Sequence, residues 1–178
     1  MTEQEIKTIL QQVKSIALVG ASDKPHRASY GVMAYLLSQG YQVIPVSPKL
    51  AGQKLLEQKV YATLADIPQP IDMVDVFRNS EAAFGVAEEA IAIKAKVLWL
   101  QLGVINEEAE KLATEAGLKV VMDRCPKIDI PRLGLEKAQL FNRLVLMNSK
   151  KPRKLGFFVT RGLVSQARRL KLVAYRFG

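Results

Sequence analysis

Ile16-Ala17-Leu18-Val19-Gly20-Ala21-Ser22 is a run of four apolar residues that ends in a glycine and two small residues. A charged loop follows, Asp23-Lys24-Pro25-His26-Arg27, and a helical pattern begins at Ser29. A buried strand, a tight turn and a helix form the opening unit of a doubly wound α/β domain. The N–H groups at the start of such a helix are free to hold a phosphate.

Working outward, the same alternation repeats. Ile6, Ile9, Leu10 and Val13 predict a short amphipathic helix ahead of the strand Ser15 to Val19. Ser29 to Gln39 reads as a helix, with Ser29 as its N-cap and Gly40 at its C′ position. A second strand, Gln42 to Val46, contains Pro45, which cannot donate to a ladder and fits where the chain leaves the sheet. Lys49 to Lys59 reads as polar and irregular, and Tyr61 to Pro68 has room for one helical turn. Ile71 to Phe77 is the third strand, and the helix Glu81 to Ile93 has Asn79 or Ser80 to cap it. Val97 to Leu100 is the fourth strand. Asn106 caps a helix ending before Gly117, and Lys119 to Met122 is the fifth strand. Apolar strands alternating with helices at this spacing require a parallel sheet covered on both faces. The expected fold is a Rossmann-like three-layer α/β sandwich with a five-stranded parallel sheet.

With 178 residues the chain can bury one full core. The single cysteine, Cys125, excludes an intrachain disulfide, and no Cys/His cluster has zinc spacing. Met1 to Glu5 is acidic and polar, unlike a secretory signal, and no apolar run approaches a membrane span of ~20 residues. A cytoplasmic protein is the expectation. The net charge of +9 is unevenly placed. Residues 1–135 hold 15 Lys/Arg and 16 Asp/Glu, whereas 136–178 hold 11 Lys/Arg and one acid. The expected division is a domain over 1–135 and a basic C-terminal extension over 136–178. Within the extension, Leu163, Val164, Ala167, Leu170 and Ala174 approximate helical spacing. A basic segment of this kind binds nucleic acid or anionic lipid, or is a poorly ordered or non-native appendage, and the appendage is the favoured reading.

Ligands of open α/β sheets bind outside the carboxyl ends of the strands. Here those ends are Gly20-Ala21-Ser22, Ser47-Pro48-Lys49, Phe77-Arg78-Asn79 and Gln101-Leu102-Gly103. With Lys24 and Arg27 they make a rim suited to a phosphorylated anion. Each residue also has an ordinary reading: a turn glycine, solvated cations, a strand-ending proline, an Arg78 paired with Asp75 or Glu81. It is their convergence on one rim that argues for a site. The dinucleotide fingerprint G-x-G-x-x-G is reduced to Gly20, because Ser22 and Pro25 occupy its other glycine positions. No acid stands at the end of strand two, so an NAD site is disfavoured. Lys49 there suits an extra ribose phosphate, as in NADP or coenzyme A. The phosphate loop of P-loop NTPases is absent as well.

In order along the chain, Val19-Gly20-Ala21-Ser22, Ser29-Tyr30-Gly31, Val46-Ser47-Pro48-Lys49, Asp75-Val76-Phe77-Arg78, Trp99 to Val104 and Met122 to Pro126 form one set. Through these motifs residues 16–135 resemble the small stand-alone CoA-binding proteins, whose domain is similar to that of succinyl-CoA synthetase α subunits. The resemblance implies coenzyme A or an acyl-CoA lying over the strand ends. Gly20, Ala21 and Ser22 would line the pyrophosphate turn, with Lys24, Arg27 and Ser29 nearby. Ser47, Pro48 and Lys49 would meet the phosphorylated ribose, Phe77 and Arg78 would flank the nucleotide, and Gln101 and Gly103 would border the far wall. Many relatives carry Asn-Pro where this chain has Ser47-Pro48.

Catalysis has little support in the sequence. His26, the single histidine, sits in a loop. Cys125 reads as a small buried residue before a proline in preference to a thiol that forms a mixed disulfide with CoA. The expectation is binding of CoA or a CoA thioester without its transformation. The alternatives are an NADP- or acyl-CoA-dependent enzyme on the same fold, or association with nucleic acid or membrane through the extension.

Overall fold

The computed structural model describes residues 1–137. The expectations for the basic extension lie outside the described residues, apart from Glu136 and Lys137. Five parallel strands form the main sheet: β1 (Ser15–Val19), β2 (Gln42–Val46), β5 (Met73–Val76), β6 (Val97–Leu100) and β7 (Lys119–Val121). Their spatial order is β2-β1-β5-β6-β7. The chain leaves β1 towards β2 on one side and returns to β5 on the other. The switch point therefore lies between β1 and β5, where open α/β sheets leave a crevice.

Strand periodicity sends alternate residues to opposite faces. Ile16 and Leu18 of β1, Met73 of β5 and Trp99 of β6 face α1 (Glu3–Gln12), α2 (Ala28–Ser38) and α5 (Pro126–Arg132). Ala17, Val74, Leu98 and Leu100 face α3 (Ser80–Ala92) and α4 (Glu107–Glu115). The helix faces on that second side are mostly alanine: Ala83, Ala87 and Ala90 on α3, Ala109 and Ala113 on α4, all fully buried. Small side chains let these two helices lie close to each other and to the sheet. This is the expected three-layer α/β sandwich. No helix among the described residues is long and apolar enough to cross a membrane.

Three helices start on side-chain caps. Thr2 and Glu5 make a capping box on α1, Asn79 accepts from the Ala82 N–H on α3, and Asn106 accepts from the Ala109 N–H on α4. Between the two candidate caps of α3, Asn79 serves. Ser29 does not cap α2. That helix begins one residue earlier, its N-cap is Arg27, and no side chain bonds its first N–H groups. Ser29 lies buried within the first turn instead.

Two elements escaped the sequence reading. The stretch expected to be irregular contains a small hairpin, β3 (Lys54–Leu55) and β4 (Gln58–Lys59). Leu56 and Glu57 turn it with positive φ of 47° and 64°, a primed turn made without the usual glycine or asparagine. Helix α5 opens with Pro126 at its first position and contains Pro131 inside its seven residues. Pro45 sits within β2, an edge strand, and its carbonyl accepts the Tyr61 N–H at 3.0 Å on the outer side. Its missing N–H therefore falls on the sheet edge, where proline is tolerated.

Helix α5 is tied down by charge. Asp129, 3 % exposed, accepts from Arg124 Nε at 3.2 Å through Oδ2 and from Arg132 Nη2 at 3.0 Å through Oδ1. Arg132 also binds Glu3 on α1. Replacing Asp129 leaves two arginines without their shared acceptor, Arg124 being two-thirds buried. Asp129→Ala should cost about 2 kcal/mol of unfolding free energy, measured by chemical denaturation against the parent chain.

Candidate functional site

The site begins with the end of β1. The N–H groups of Gly20 and Ala21 both donate to the Val46 carbonyl of β2, at 3.0 and 3.2 Å, and Phe77 N–H donates to the Val19 carbonyl at 2.8 Å. The tip of β1 is thus clasped by the tips of both neighbours. Gly20 has φ of +91°, and a Cβ there would stand 2.3 Å from the Phe77 carbonyl oxygen. Backbone conformation and backbone proximity each require glycine at this position.

Beyond Gly20 the loop folds on itself. The Ser22 hydroxyl accepts the Lys24 N–H at 3.2 Å, and the Arg27 N–H donates to the Lys24 carbonyl at 3.0 Å. This brings the uncapped start of α2 over the strand ends. A cleft of about 390 Å³ opens there, lined by Gly20, Ala21, Ser22, Lys24, Arg27 and Ser29 from the first loop and helix, Ser47 and Lys49 from the end of β2, and Phe77 from the end of β5. A second cleft, about 260 Å³, lies on the α3 side of the strand ends and shares Gly20. Pro48 and Arg78 line it with Thr63 and Glu89. Eleven of the thirteen expected site residues are therefore gathered around one point, the tip of β1.

The other two are engaged elsewhere. Gln101 is buried and donates through Nε2 to Asp75 Oδ1 at 2.8 Å. Gly103 gives its N–H to Asp123 Oδ1 at 2.8 Å, and its carbonyl accepts from the Ser80 hydroxyl. Neither lines the two clefts. Lys127, on the first turn of α5, reaches towards α2 and lines neither cleft. Its Nζ lies 3.6 Å from where a Cβ on Gly31 would stand. Since α5 itself escaped notice, no periodicity could direct that lysine towards α2.

The first cleft is electropositive. Lys24, Arg27 and Lys49 form no ion pair among the described residues, and Asp23 is the carboxylate in the lining. Partial positive charge from the α2 N–H groups adds to these cations. Arg78 is likewise free of the pairing with Asp75 or Glu81 considered as its ordinary reading. Among the described residues no group of three or more His, Cys, Asp or Glu side chains could hold a metal ion.

Cys125 is 7 % exposed, and burial pushes its thiol up, against the hydrogen bonds from the Lys127 and Ile128 N–H groups. It lines neither cleft. These features match the reading of a structural buried thiol. Asp75 is the one fully buried carboxyl of the central sheet. Burial raises it to about 7, opposed by the Gln101 hydrogen bond, and its Oδ2 has no partner among the described residues.

Comparison with known proteins follows the same outline. Residues 14–131 match the family model described as CoA binding domain, and the chain belongs to that family. It is 45% identical over 127 residues to the uncharacterized protein YneT of Bacillus subtilis (strain 168), covering 71% of this chain and 93% of that one. It is 31% identical over 109 residues to the acetate–CoA ligase [ADP-forming] I subunit alpha of Pyrococcus furiosus. That match covers 56% of this chain and only 23% of the ligase subunit. Among solved structures, a hypothetical protein from Pyrococcus horikoshii OT3 superposes with a TM-score of 0.72 at 44% identity, covering 75% of this chain and 92% of that one.

Two outcomes test this geometry. Gly20→Ala should destabilise the fold by about 2 kcal/mol or more, seen as a lowered thermal midpoint without ligand. The second concerns pH. Asp75 binds its proton more tightly folded than unfolded, so its contribution is full below the unfolded value of about 4 and declines as pH rises towards about 7. Asp75→Asn keeps an acceptor for Gln101 and cannot ionise. Denaturation at pH 5 and pH 8 should show the variant gaining stability relative to the parent at the higher pH.

Proposed function

We propose that this chain binds coenzyme A or a CoA thioester, without transforming it, across the two clefts at the tip of β1. The observation that carries the reading is the uncapped N-terminus of α2. It opens onto the first cleft beside three cations that form no ion pair among the described residues. Backbone N–H groups and a helix dipole suit a diphosphate. The residues present fit the group. Gly20 keeps the backbone turn free of a Cβ and open to close approach, and the lining provides donors and positive charge.

The assignment follows from position. Gly20, Ala21, Ser22 and the N–H groups of Ala28 and Ser29 face the diphosphate, with Lys24 and Arg27 beside it. Ser47 and Lys49, at the tip of β2, take the phosphorylated ribose. Phe77 offers an apolar surface, and Pro48 and Arg78 carry the site onto the α3 side. Gln101 and Gly103 act as supports, since each is engaged in an internal hydrogen bond. Binding without chemistry is favoured by what stands outside the lining: His26 is exposed in the loop, and Cys125 is buried at the start of α5.

Thermal midpoints of the full chain with CoA, dephospho-CoA, NADPH and ATP test this. A ligand that binds only the folded state raises the midpoint. CoA should stabilise most, and dephospho-CoA less, because it lacks the phosphate read by Lys49. ATP controls for general attraction of polyphosphates to the basic extension. Lys49→Ala should weaken CoA by about tenfold and leave dephospho-CoA unchanged. Stabilisation by NADPH with none by CoA would overturn the reading.

A further inference from the structure

A larger groove, about 580 Å³, crosses the opposite end of the sheet. Its floor is apolar and belongs to the amino ends of the strands and the helix ends above them: Ile9, Val13, Val97 and Leu118, each less than 9 % exposed. Lys94, Lys96 and Lys119 stand on its rim. The volume is that of a site for an organic molecule, and an apolar body with a few convergent charges is the usual make-up of one.

The charges around the rim can be sorted. Asp72, the carboxylate in the lining, is fully used. Its Oδ1 takes Lys96 Nζ at 2.7 Å, and its Oδ2 takes the Lys14 and Ser15 N–H groups. That cancels Lys96. Glu5, whose acidity Lys119 influences, is held by the Thr2 N–H and hydroxyl at 2.7 and 2.9 Å. Lys94 and Lys119 have no ion pair among the described residues. Two ammonium groups remain available above an apolar floor.

Lys94 is also out of place by backbone rules. Helices α2, α3, α4 and α5 all end in the same paired hydrogen-bond motif, in which the residue after the C-cap takes positive φ. That residue is Gly40, Gly117 and Gly134 in three of them. In α3 it is Lys94, at φ of +58°. The motif closes with Lys94 N–H on Ile91 O at 2.9 Å and Ala95 N–H on Ala90 O at 3.0 Å. The helix end is thereby satisfied by backbone alone, and a lysine stands in the left-handed conformation that glycine adopts at the other three helix ends.

We infer that this groove binds a small amphipathic carboxylate, a medium-chain fatty acid or an aryl carboxylate, with Lys94 and Lys119 on the carboxylate and the chain laid over Val13, Val97 and Leu118. A bare phosphate leaves the floor unused, and a neutral hydrocarbon leaves the lysines unused. The basic segment after residue 137 carries the wrong charge to fill it. This site is independent of the clefts at the tip of β1.

Octanoate is the probe, titrated into the full chain and followed by backbone amide NMR shifts, with octylammonium as the charge-reversed control. Saturable shifts at Val13, Val97 and Leu118, absent at Gly20 to Ser22 and absent with octylammonium, are expected. Lys94→Gly with Lys119→Gln should weaken octanoate about tenfold. Lys94→Gly relieves the strained φ, so the thermal midpoint of that single variant should hold or rise. Three results would each overturn the inference: no saturable shift at the groove, equal response to octylammonium, or octanoate binding unaltered in the double variant.

Discussion

The contact between Gly20 and the Phe77 carbonyl is the constraint on which the site depends. Three strand tips meet there. β2 accepts two N–H groups from the β1 tip, β5 donates one to it, and the space left cannot hold a methyl group. Because the chain cannot continue in the plane of the sheet, it must rise out of it at once, and the left-handed φ at Gly20 sets the direction. The Ser22 hydroxyl and the Lys24 carbonyl then fold the loop back. The result is a helix start delivered over the strand ends, where Arg27, Ala28 and Ser29 line the same cleft as the glycine turn.

That helix start is left unfinished in a way its neighbours are not. Thr2, Asn79 and Asn106 each complete the first turn of their helices. A side-chain cap is worth about 1 kcal/mol, and α2 forgoes it, with Arg27 at the cap position and Ser29 turned inwards. In the proposed reading, a bound diphosphate would supply what the missing cap does not. Family membership and this local economy point the same way, and they do so from different observations, one from the pattern of residues and the other from an unfilled backbone valence.

The succession of strands and helices, the covering of both sheet faces and the residues at the strand ends were legible in the sequence, because they follow from short-range rules, whereas the spatial order of the strands was not read from it. Buried parallel strands are continuous apolar runs, and the residues just past their ends must lie on one edge of the sheet. What was not legible depended on long-range packing. Gln101 looked like a ligand-facing amide, yet it serves Asp75, and no local pattern shows that a carboxyl buried 26 residues earlier will need a donor. Ser29 had the chemistry of a cap, but the helix starts one residue sooner and carries it inside. Helix α5 is too short for periodicity, and it opens on a proline, which is well suited to the first helical position. Losing α5 also lost Lys127 and the Arg124–Asp129–Arg132 cluster that fixes it.

The two ends of this sheet are chemically unlike, and the cause is the direction of its parallel strands. Every α/β crossover places helix starts at the carboxyl end of the sheet and helix ends at the amino end. At the carboxyl end α2 presents N–H groups, rigid and directional, which suit a phosphate held by several bonds at once. At the amino end α3 and α4 turn their last carbonyls inwards through closed hydrogen-bond motifs, so the backbone contributes little. Charge there must come from lysines on flexible stems, which act as point cations over an apolar floor. A backbone cradle selects by shape, whereas such a groove selects by charge and by apolar area. On the two proposals, one fold would offer two recognition surfaces of different character, set apart by the length of its strands.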